Sequence, residues 1–444
     1  MGTTSRLNRA PNRQRQLDLL THPDHMWRRL FVRGKNDELE RLQGFRPGGY
    51  FPLHLHDELH NGRYRIIHKL GHGGLATVWL CRDENADTPT YVAIKILVAS
   101  EVEHENAEIK LAAALKKKGL DKIAAGQHLC LPQEHFISQS PNGQHICLVF
   151  PVLGPTVHDV TELFGPGESL PRTVQEISRH VVEALGVLHE NGVCHGDLRP
   201  SNILLGLQSL DGLRVDQVFA RLEVPETTDI IIRKDAHLTS NIPHAPKYLV
   251  YPVDFGSIDA EFVLPRANII DFGQSFNLSH PPASYGIPTN YSAPEVVLDH
   301  RGTAAMDMWS LGCTLYEIRL GQRLFDVFQL IDTRKEDYVN EVASLLGKPP
   351  GRWAEFFEQD DEAELDVSPD HPYLQEERVY SIYEKLASRH DCRGQDCDHP
   401  RFQVISETEA ADLADLLEKL LKYQAEERLS VREVLKHSWF NTDY

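Results

Sequence analysis

One segment constrains this chain more than any other: Val193-Cys194-His195-Gly196-Asp197-Leu198-Arg199-Pro200-Ser201-Asn202-Ile203-Leu204-Leu205. His, Asp, Arg and Asn fall within eight positions and run into an apolar strand, so polar groups are anchored on a buried element. Far downstream, Ile269-Ile270-Asp271-Phe272-Gly273 carries a second Asp on an apolar strand, followed by a glycine that lets the chain turn sharply. Asn202 and Asp271 are oxygen ligands of the kind Mg²⁺ takes when it is shared with substrate phosphates. Asp197 suits a group that accepts or orients a hydroxyl proton, and Arg199 suits one that neutralises charge on a moving phosphoryl group.

Upstream, Tyr64-Arg65-Ile66-Ile67-His68-Lys69-Leu70 reads as a strand leading into Gly71-His72-Gly73-Gly74-Leu75-Ala76-Thr77-Val78. Closely spaced glycines let backbone approach a phosphate chain, although a glycine cluster between strands also suits a plain hairpin turn. The next strand, Tyr91-Val92-Ala93-Ile94-Lys95-Ile96-Leu97-Val98, alternates so that Val92, Ile94 and Ile96 share one face and Ala93, Lys95 and Leu97 the other. A lysine midway along so apolar a strand is costly without anionic partners. Lys95 is thus either an exposed edge lysine or a phosphate ligand held by a carboxylate from the following helix. That helix is read over Glu101 to Lys118, with acids at its start, lysines at its end and Gly119 as its stop. Glu108 is the acid best placed to meet Lys95, and Glu105 is the alternative.

A further strand, Ile146-Cys147-Leu148-Val149-Phe150, runs into Pro151-Val152-Leu153-Gly154-Pro155, where turn residues mark a boundary between lobes. Helical spacing dominates afterwards, with Val174, Ile177, Val181, Leu185 and Leu188 on one face before Asn191-Gly192.

Composition narrows the class. The net charge of −19 over 444 residues argues against general nucleic-acid binding, which needs a cationic surface. The charge is uneven: in residues 1–35, Arg6, Arg9, Arg13, Arg15, Arg28, Arg29, Arg33 and Lys35 face only Asp18 and Asp24, giving +6 there and −25 over residues 36–444. Such an arm resembles a mitochondrial transit peptide in composition, yet Asp18, Pro23 and Asp24 interrupt a long amphipathic helix, and a flexible arm is the preferred reading. Arg6 stands where a myristoylation signal needs Ser or Thr. No run reaches the ~18 apolar residues of a membrane helix, and the seven scattered cysteines do not suggest a disulfide framework. The expectation is a chain of the cytoplasm and nucleus, with mitochondrial import as the lesser alternative.

Taken in order, the glycine-rich loop, the Val92-Ala93-Ile94-Lys95 strand, the His195-to-Asn202 loop and Asp271-Phe272-Gly273 resemble the eukaryotic protein kinases. The order continues through Ser292-Ala293-Pro294-Glu295, Asp307-Met308-Trp309-Ser310-Leu311-Gly312 and Glu427-Arg428. Within that family, Gly48-Gly49-Tyr50-Phe51-Pro52, Asn61-Gly62-Arg63-Tyr64 and Thr77-Val78-Trp79-Leu80 are similar to the SR protein kinases, which phosphorylate serines in Arg/Ser-rich splicing factors.

The resemblance implies an α+β bilobal protein kinase fold, with a small β-rich N-lobe and a large helical C-lobe carrying insertions. The expected divisions are a basic arm over 1–47, the N-lobe with its lead-in over 48–153, and the C-lobe over 154–444. Inserts are expected near 206–265 and 325–405. In the first, Val215, Val218 and Leu222 hint at a short helix and Tyr248-Leu249-Val250-Tyr251 at a strand. The implied cofactors are ATP and Mg²⁺. By resemblance, Asp197, Lys95, Glu108 and Arg199 are catalytic, and Asn202 and Asp271 hold metal. Leu70, Gly71, Gly73, Val78, Ala93, Lys95, Phe150, Leu153 and Leu204 bind ATP, with Phe150 at the back of the pocket and Pro151, Val152 and Leu153 as the hinge. Glu295 and Arg428 form a buried ion pair, and Asp307 braces the catalytic loop. The implied partners are basic Arg/Ser-rich proteins, met by a monomer without direct nucleic-acid or membrane contact. The rival from another class is a pseudokinase scaffold, against which the retention of Lys95, Asp197, Asn202 and Asp271 speaks; tyrosine and small-molecule kinases are weaker rivals.

The chain departs from the family pattern at named positions. Ala76 replaces the third loop glycine, Arg199 the usual lysine, and Pro288 a threonine, with Thr289 one place late. Gly196 replaces the arginine that pairs in many kinases with a phosphorylated activation segment, so activity without that phosphorylation is expected.

Other features have plainer readings. His54, His56 and His60 are read as surface residues rather than a metal site, and Met308, Leu311, Leu315 and Ile318 as one helix face. Ser430 and Glu433 have capping-box spacing. His390, Cys392, Cys397 and His399 could bind zinc, although so short a loop makes tetrahedral ligation awkward. The acidic run Glu355, Glu358, Asp360, Asp361, Glu362, Glu364 and Asp366 is either a solvated loop or a dock for a basic substrate.

Overall fold

The computed structural model describes residues 39–103, 106–165, 169–231, 244–327, 334–357, 381–387 and 405–444. Residues 1–38, Glu105, the acidic run beyond Glu355 and the His390–His399 set lie outside the described residues.

Contacts divide the chain into two compact units: residues 1–105, 133–151 and 210–254 form the first, and 106–132, 152–209 and 255–444 the second. The break after Pro151 falls in the turn-rich boundary stretch. Two segments differ from the expected division. Residues 210–254, expected with the C-lobe, pack in the first unit, where the Asp211 carboxylate accepts the Tyr91 N–H at 3.0 Å and the Leu213 carbonyl accepts the Tyr91 hydroxyl at 2.8 Å. Residues 106–132, expected with the N-lobe, belong to the second.

The first unit is built on a six-stranded antiparallel sheet in the order β1-β2-β3-β4-β6-β5. Its strands are β1 Glu58–Leu59, β2 Tyr64–His72, β3 Ala76–Asp83, β4 Thr90–Leu97, β5 Glu134–Ser140 and β6 Gly143–Phe150. One face carries the core of Tyr64, Ile66, Trp79, Cys81, Val92, Ile94, Ile96, Cys147 and Val149. Ala93 and Leu97 on the other face are buried too, so the expected alternation is real but both faces are covered. The insert supplies a helix, Val215–Leu222, and a hairpin of Thr227–Asp229 with Tyr248–Val250. Part of the expected basic arm also belongs to this fold. Phe45 is buried with Tyr50, Val98 and Leu249, and Glu40 forms a buried ion pair with Lys69.

The second unit is mostly helical. The helix Leu170–Glu190 buries the Val174-to-Leu188 stripe. Ala304–Leu320 is buried nearly all round from Met306 to Arg319, not on one face only, as befits a helix at the centre of a large core. Glu409 on Glu407–Leu420 receives two 2.7 Å hydrogen bonds from Arg319 of that helix. Ser430 and Glu433 form the expected capping box ahead of Val431–Val434. The helix read over Glu101 to Lys118 is shorter. It spans Ala107–Lys117 and starts where the Asn106 side chain accepts the Ile109 N–H at 3.0 Å, while Glu101 sits in a separate 3₁₀ turn. Among the described residues no helix is long and apolar enough to cross a membrane.

Candidate active site

In the first unit, strand register brings several predicted residues to one face. Lys95 on β4 pairs with Val78 on β3 and Leu148 on β6, and Ala93 pairs with Leu80 and Phe150. Paired positions of an antiparallel ladder point to the same side, so Val78, Ala93, Lys95 and Phe150 share one surface of the sheet. Lys95 is only partly buried there, whereas Lys69, the other lysine on an apolar strand, is sealed with Glu40 beneath the Trp79 ring. Leu70 and Gly71 lie at the end of β2, and Gly73 in the link to β3.

The second unit holds the rest. Leu153 and Leu204 belong to it, and Gly154 N–H donates to the Leu205 carbonyl at 2.8 Å. Glu108 is buried in the first turn of Ala107–Lys117.

The His195-to-Asn202 loop is held from below by Asp307. Its carboxylate accepts the N–H of His195 at 2.8 Å and of Gly196 at 3.0 Å, and His189 Nε2 lies 2.8 Å from the same group. Burial pushes the Asp307 carboxyl up, but the hydrogen bonds it receives from His189 and from the Gly196 N–H hold it below the ordinary carboxylate range. Asp307 was legible as a brace, whereas His189 was not. Its only signal is a polar residue on the last turn of an otherwise apolar stripe.

His195 connects the two motifs. Its Nδ1 accepts the Asp197 N–H at 3.2 Å, which leaves the proton on Nε2, 3.2 Å from the Ile270 carbonyl. The strands Ile203–Leu207 and Val263–Ile269 pair antiparallel, with Ile203 opposite Ile269. Ile270 N–H donates to the Asn202 carbonyl at 2.9 Å, so Asp271, the next residue, is set beside Asn202. Asp271 itself takes left-handed backbone, φ 60°.

Asp197 Oδ2 accepts Asn202 Nδ2 at 2.8 Å, and the same amide nitrogen reaches the Asp197 carbonyl at 2.8 Å. Because Nδ2 is committed to Asp197, the Asn202 oxygen is the atom left for a ligand, and with the Asp271 carboxylate it makes the all-oxygen donor set that Mg²⁺ prefers. Arg199 Nε lies 3.2 Å from Asp197 Oδ1 without an aligned hydrogen bond to that oxygen. Burial raises the Asp197 pKa above the ordinary carboxylate value, against the lowering pull of Arg199 and Asn202. A carboxylate anchored through one oxygen, with the other still able to accept, is equipped to receive a hydroxyl proton.

The expected buried ion pair is present. Arg428 donates to both oxygens of Glu295 at 2.7 Å, and the pair is buried. Gly196 has φ 78°, and a Cβ there would lie 2.6 Å from the Gln274 carbonyl oxygen, so its place in the loop excludes the arginine found in many kinases. Of the three lead-in histidines, His54 packs edge-on to Tyr248 and accepts the Lys247 N–H at 2.8 Å, and His60 stacks on Phe136.

Comparison with known proteins bears on the family of the chain. The family model described as "Protein kinase domain" matches residues 64–215 and 261–440, and the gap between the two stretches falls on the insert. The chain is 27% identical over 422 residues to "Serine/threonine-protein kinase SRPK" of Physarum polycephalum, covering 91% of this chain and 92% of that protein. It is 25% identical over 398 residues to "Protein kinase dsk1" of Schizosaccharomyces pombe, covering 71% of each. It is 26% identical over 398 residues to "Dual specificity protein kinase CLK2" of Mus musculus, covering 88% of this chain and 66% of that protein. With the family match spanning most of its length and the ordered motifs in place, this chain belongs to the protein kinase family.

Proposed function

We propose that this protein kinase transfers the γ-phosphoryl group of Mg-ATP to serine, and to threonine, in basic Arg/Ser-rich proteins. The observation that carries the catalytic part is the Asp197 carboxylate, anchored at Oδ2 by Asn202 and left able to accept at Oδ1. In the transfer, the substrate hydroxyl oxygen bonds to the γ-phosphorus as the bond to the β,γ-bridging oxygen breaks. The hydroxyl proton passes to Asp197, and ADP leaves. Arg199 offsets charge on the moving group. Asn202 and Asp271 would hold Mg²⁺, which supplies charge neutralisation at the phosphates. The nucleotide is assigned to Leu70, Gly71, Gly73, Val78, Ala93, Lys95, Phe150, Leu153 and Leu204, of which Val78, Ala93, Lys95 and Phe150 share one sheet face.

The substrate class is supported by charge and by similarity to a relative named SRPK. Residues 36–444 carry −25, and the acidic run from Glu355 to Asp366 has no basic residue to offset it. A field of that sign speeds the encounter with a cationic tail and is screened by salt. The specificity constant for an Arg/Ser-repeat peptide is therefore expected to fall about tenfold between roughly 50 and 300 mM salt, while that for a neutral serine peptide changes little. Equal salt dependence for the two peptides would contradict the steering role. We further assign a monomer working in the cytoplasm and nucleus, an assignment that fits the buried free thiols of Cys81, Cys147, Cys194 and Cys313.

The same geometry supports activity without phosphorylation of the activation segment. Several contacts that hold the start of that segment are neutral. Phe276–Asn277 pairs with Val193–Cys194, Leu278 N–H donates to the Gly192 carbonyl at 2.8 Å, and the Tyr285 hydroxyl accepts the Gly302 N–H at 2.7 Å. Phosphatase treatment, checked by mass spectrometry, is expected to leave the transfer rate unchanged. Loss of most of the activity would show that a phosphate is needed after all.

A further inference from the structure

Tyr50 precedes the sheet and was marked by the sequence only as part of a family lead-in. Its hydroxyl donates to the Gly73 carbonyl at 2.6 Å and lies 3.2 Å from the Gly74 carbonyl, in the glycine-rich link between β2 and β3. The tyrosine is buried, and its environment determines its aim. Gly44 leaves room for the ring, since a Cβ there would fall 2.3 Å from Tyr50 Cε2. The Phe45 ring sits 5.5 Å away, centroid to centroid. The Tyr50 carbonyl accepts Asn142 Nδ2 at 2.6 Å, and the preceding turn is tied to the end of β4, with Ala99 N–H donating to Gly49 at 3.0 Å and Ser100 N–H to Gly48 at 2.9 Å. Asn142 is clasped in turn by His244 of the insert, through His244 Nδ1 at 2.6 Å and the His244 carbonyl at 2.8 Å.

We infer that Tyr50 is a positioning residue for phosphate binding: its hydroxyl gathers the Gly73 and Gly74 carbonyls and thereby presents the N–H groups of Gly74 and Leu75 to the nucleotide phosphates. The reason is peptide geometry. In a trans peptide the C=O of one residue and the N–H of the next point in opposite directions. Drawing the Gly73 and Gly74 carbonyls toward Tyr50 turns the following two N–H groups away from it, and successive N–H groups facing one way make an anion cradle. Without the hydroxyl, a glycine-rich link has the freedom to turn those planes around. The insert, through His244 and Asn142, holds the backbone of the tyrosine.

The inference rests on the nucleotide assignment made above, and one experiment separates the two. Full-length wild type and Tyr50→Phe, which keeps the ring and loses only the hydroxyl, are compared in steady-state phosphoryl transfer to an Arg/Ser peptide, with adenosine as a competitive inhibitor. Loss of one neutral hydrogen bond is expected to lower kcat/KM for ATP about three- to tenfold. The inhibition constant of adenosine, which has no phosphates, stays unchanged. Hydrogen exchange at the Gly73–Ala76 amides should quicken in the variant. An unchanged kcat/KM for ATP, or a parallel weakening of adenosine, would overturn the positioning role. A wild-type chain with no transfer at all would overturn the nucleotide assignment first and the inference with it.

Discussion

Replacing Asp197 with Ala is expected to slow phosphoryl transfer by about 10²–10⁴-fold, with nucleotide affinity and thermal stability close to wild type. The asymmetry between function and fold follows from how the loop is held. Its backbone is carried by Asp307 through the N–H groups of His195 and Gly196, and Asn202 Nδ2 still has the residue 197 carbonyl as an acceptor after the substitution. What disappears is the carboxylate to which the proposal assigns the hydroxyl proton, with its Oδ1 buried and without a hydrogen-bond partner. Transfer rates paired with a melting curve check both halves. A variant that melts many degrees early would place Asp197 among the structural residues instead.

The second large effect is on stability. Arg428→Met leaves Glu295 buried without its partner and also removes the guanidinium hydrogen bonds to the carbonyls of Lys422 at 2.9 Å and Ala305 at 2.8 Å. Breaking one side of a buried pair costs about 3–5 kcal/mol, a fall in Tm on the order of 10 °C for a unit of this size. Because the stranded carboxylate accounts for much of that cost, Glu295→Leu combined with Arg428→Met should recover part of it. Differential scanning calorimetry of the two variants tests this. A single variant within about a degree of wild type would show that the pair contributes little.

The placement of Asp197, Asn202 and Asp271, and the Glu295–Arg428 ion pair, were legible because these residues sit in motifs whose chemistry constrains residue type at fixed spacing, and local strand pairing then does the rest. Asp307 was legible for the same reason. What escaped depends on long-range contact. Glu40 meets Lys69 from a stretch that composition assigned to a basic arm, and the pair could not be anticipated because the two are 29 positions apart with no shared periodicity. Residues 210–254 were assigned with the helical lobe on chain order alone, whereas Asp211 and Leu213 hold them to Tyr91 of the sheet. The helix over Glu101 to Lys118 was drawn too long because its acidic start looked like dipole compensation, while the Asn106 cap decides where it begins. Tyr50 stood in a motif but its hydroxyl's destination, the Gly73 carbonyl, is a matter of packing around Gly44 and Phe45.

The central claim is that this chain is a catalytically active kinase whose Asp197 serves transfer to serines in basic proteins. The most direct test incubates wild type and Asp197→Ala with Mg-ATP and a peptide panel of Arg/Ser repeats, acidic serine peptides and tyrosine peptides, read by mass spectrometry. Phosphate on the serines of the Arg/Ser peptides with wild type, and little or none with the variant, is the predicted result; equal signal from both proteins, or no transfer by either, would contradict it.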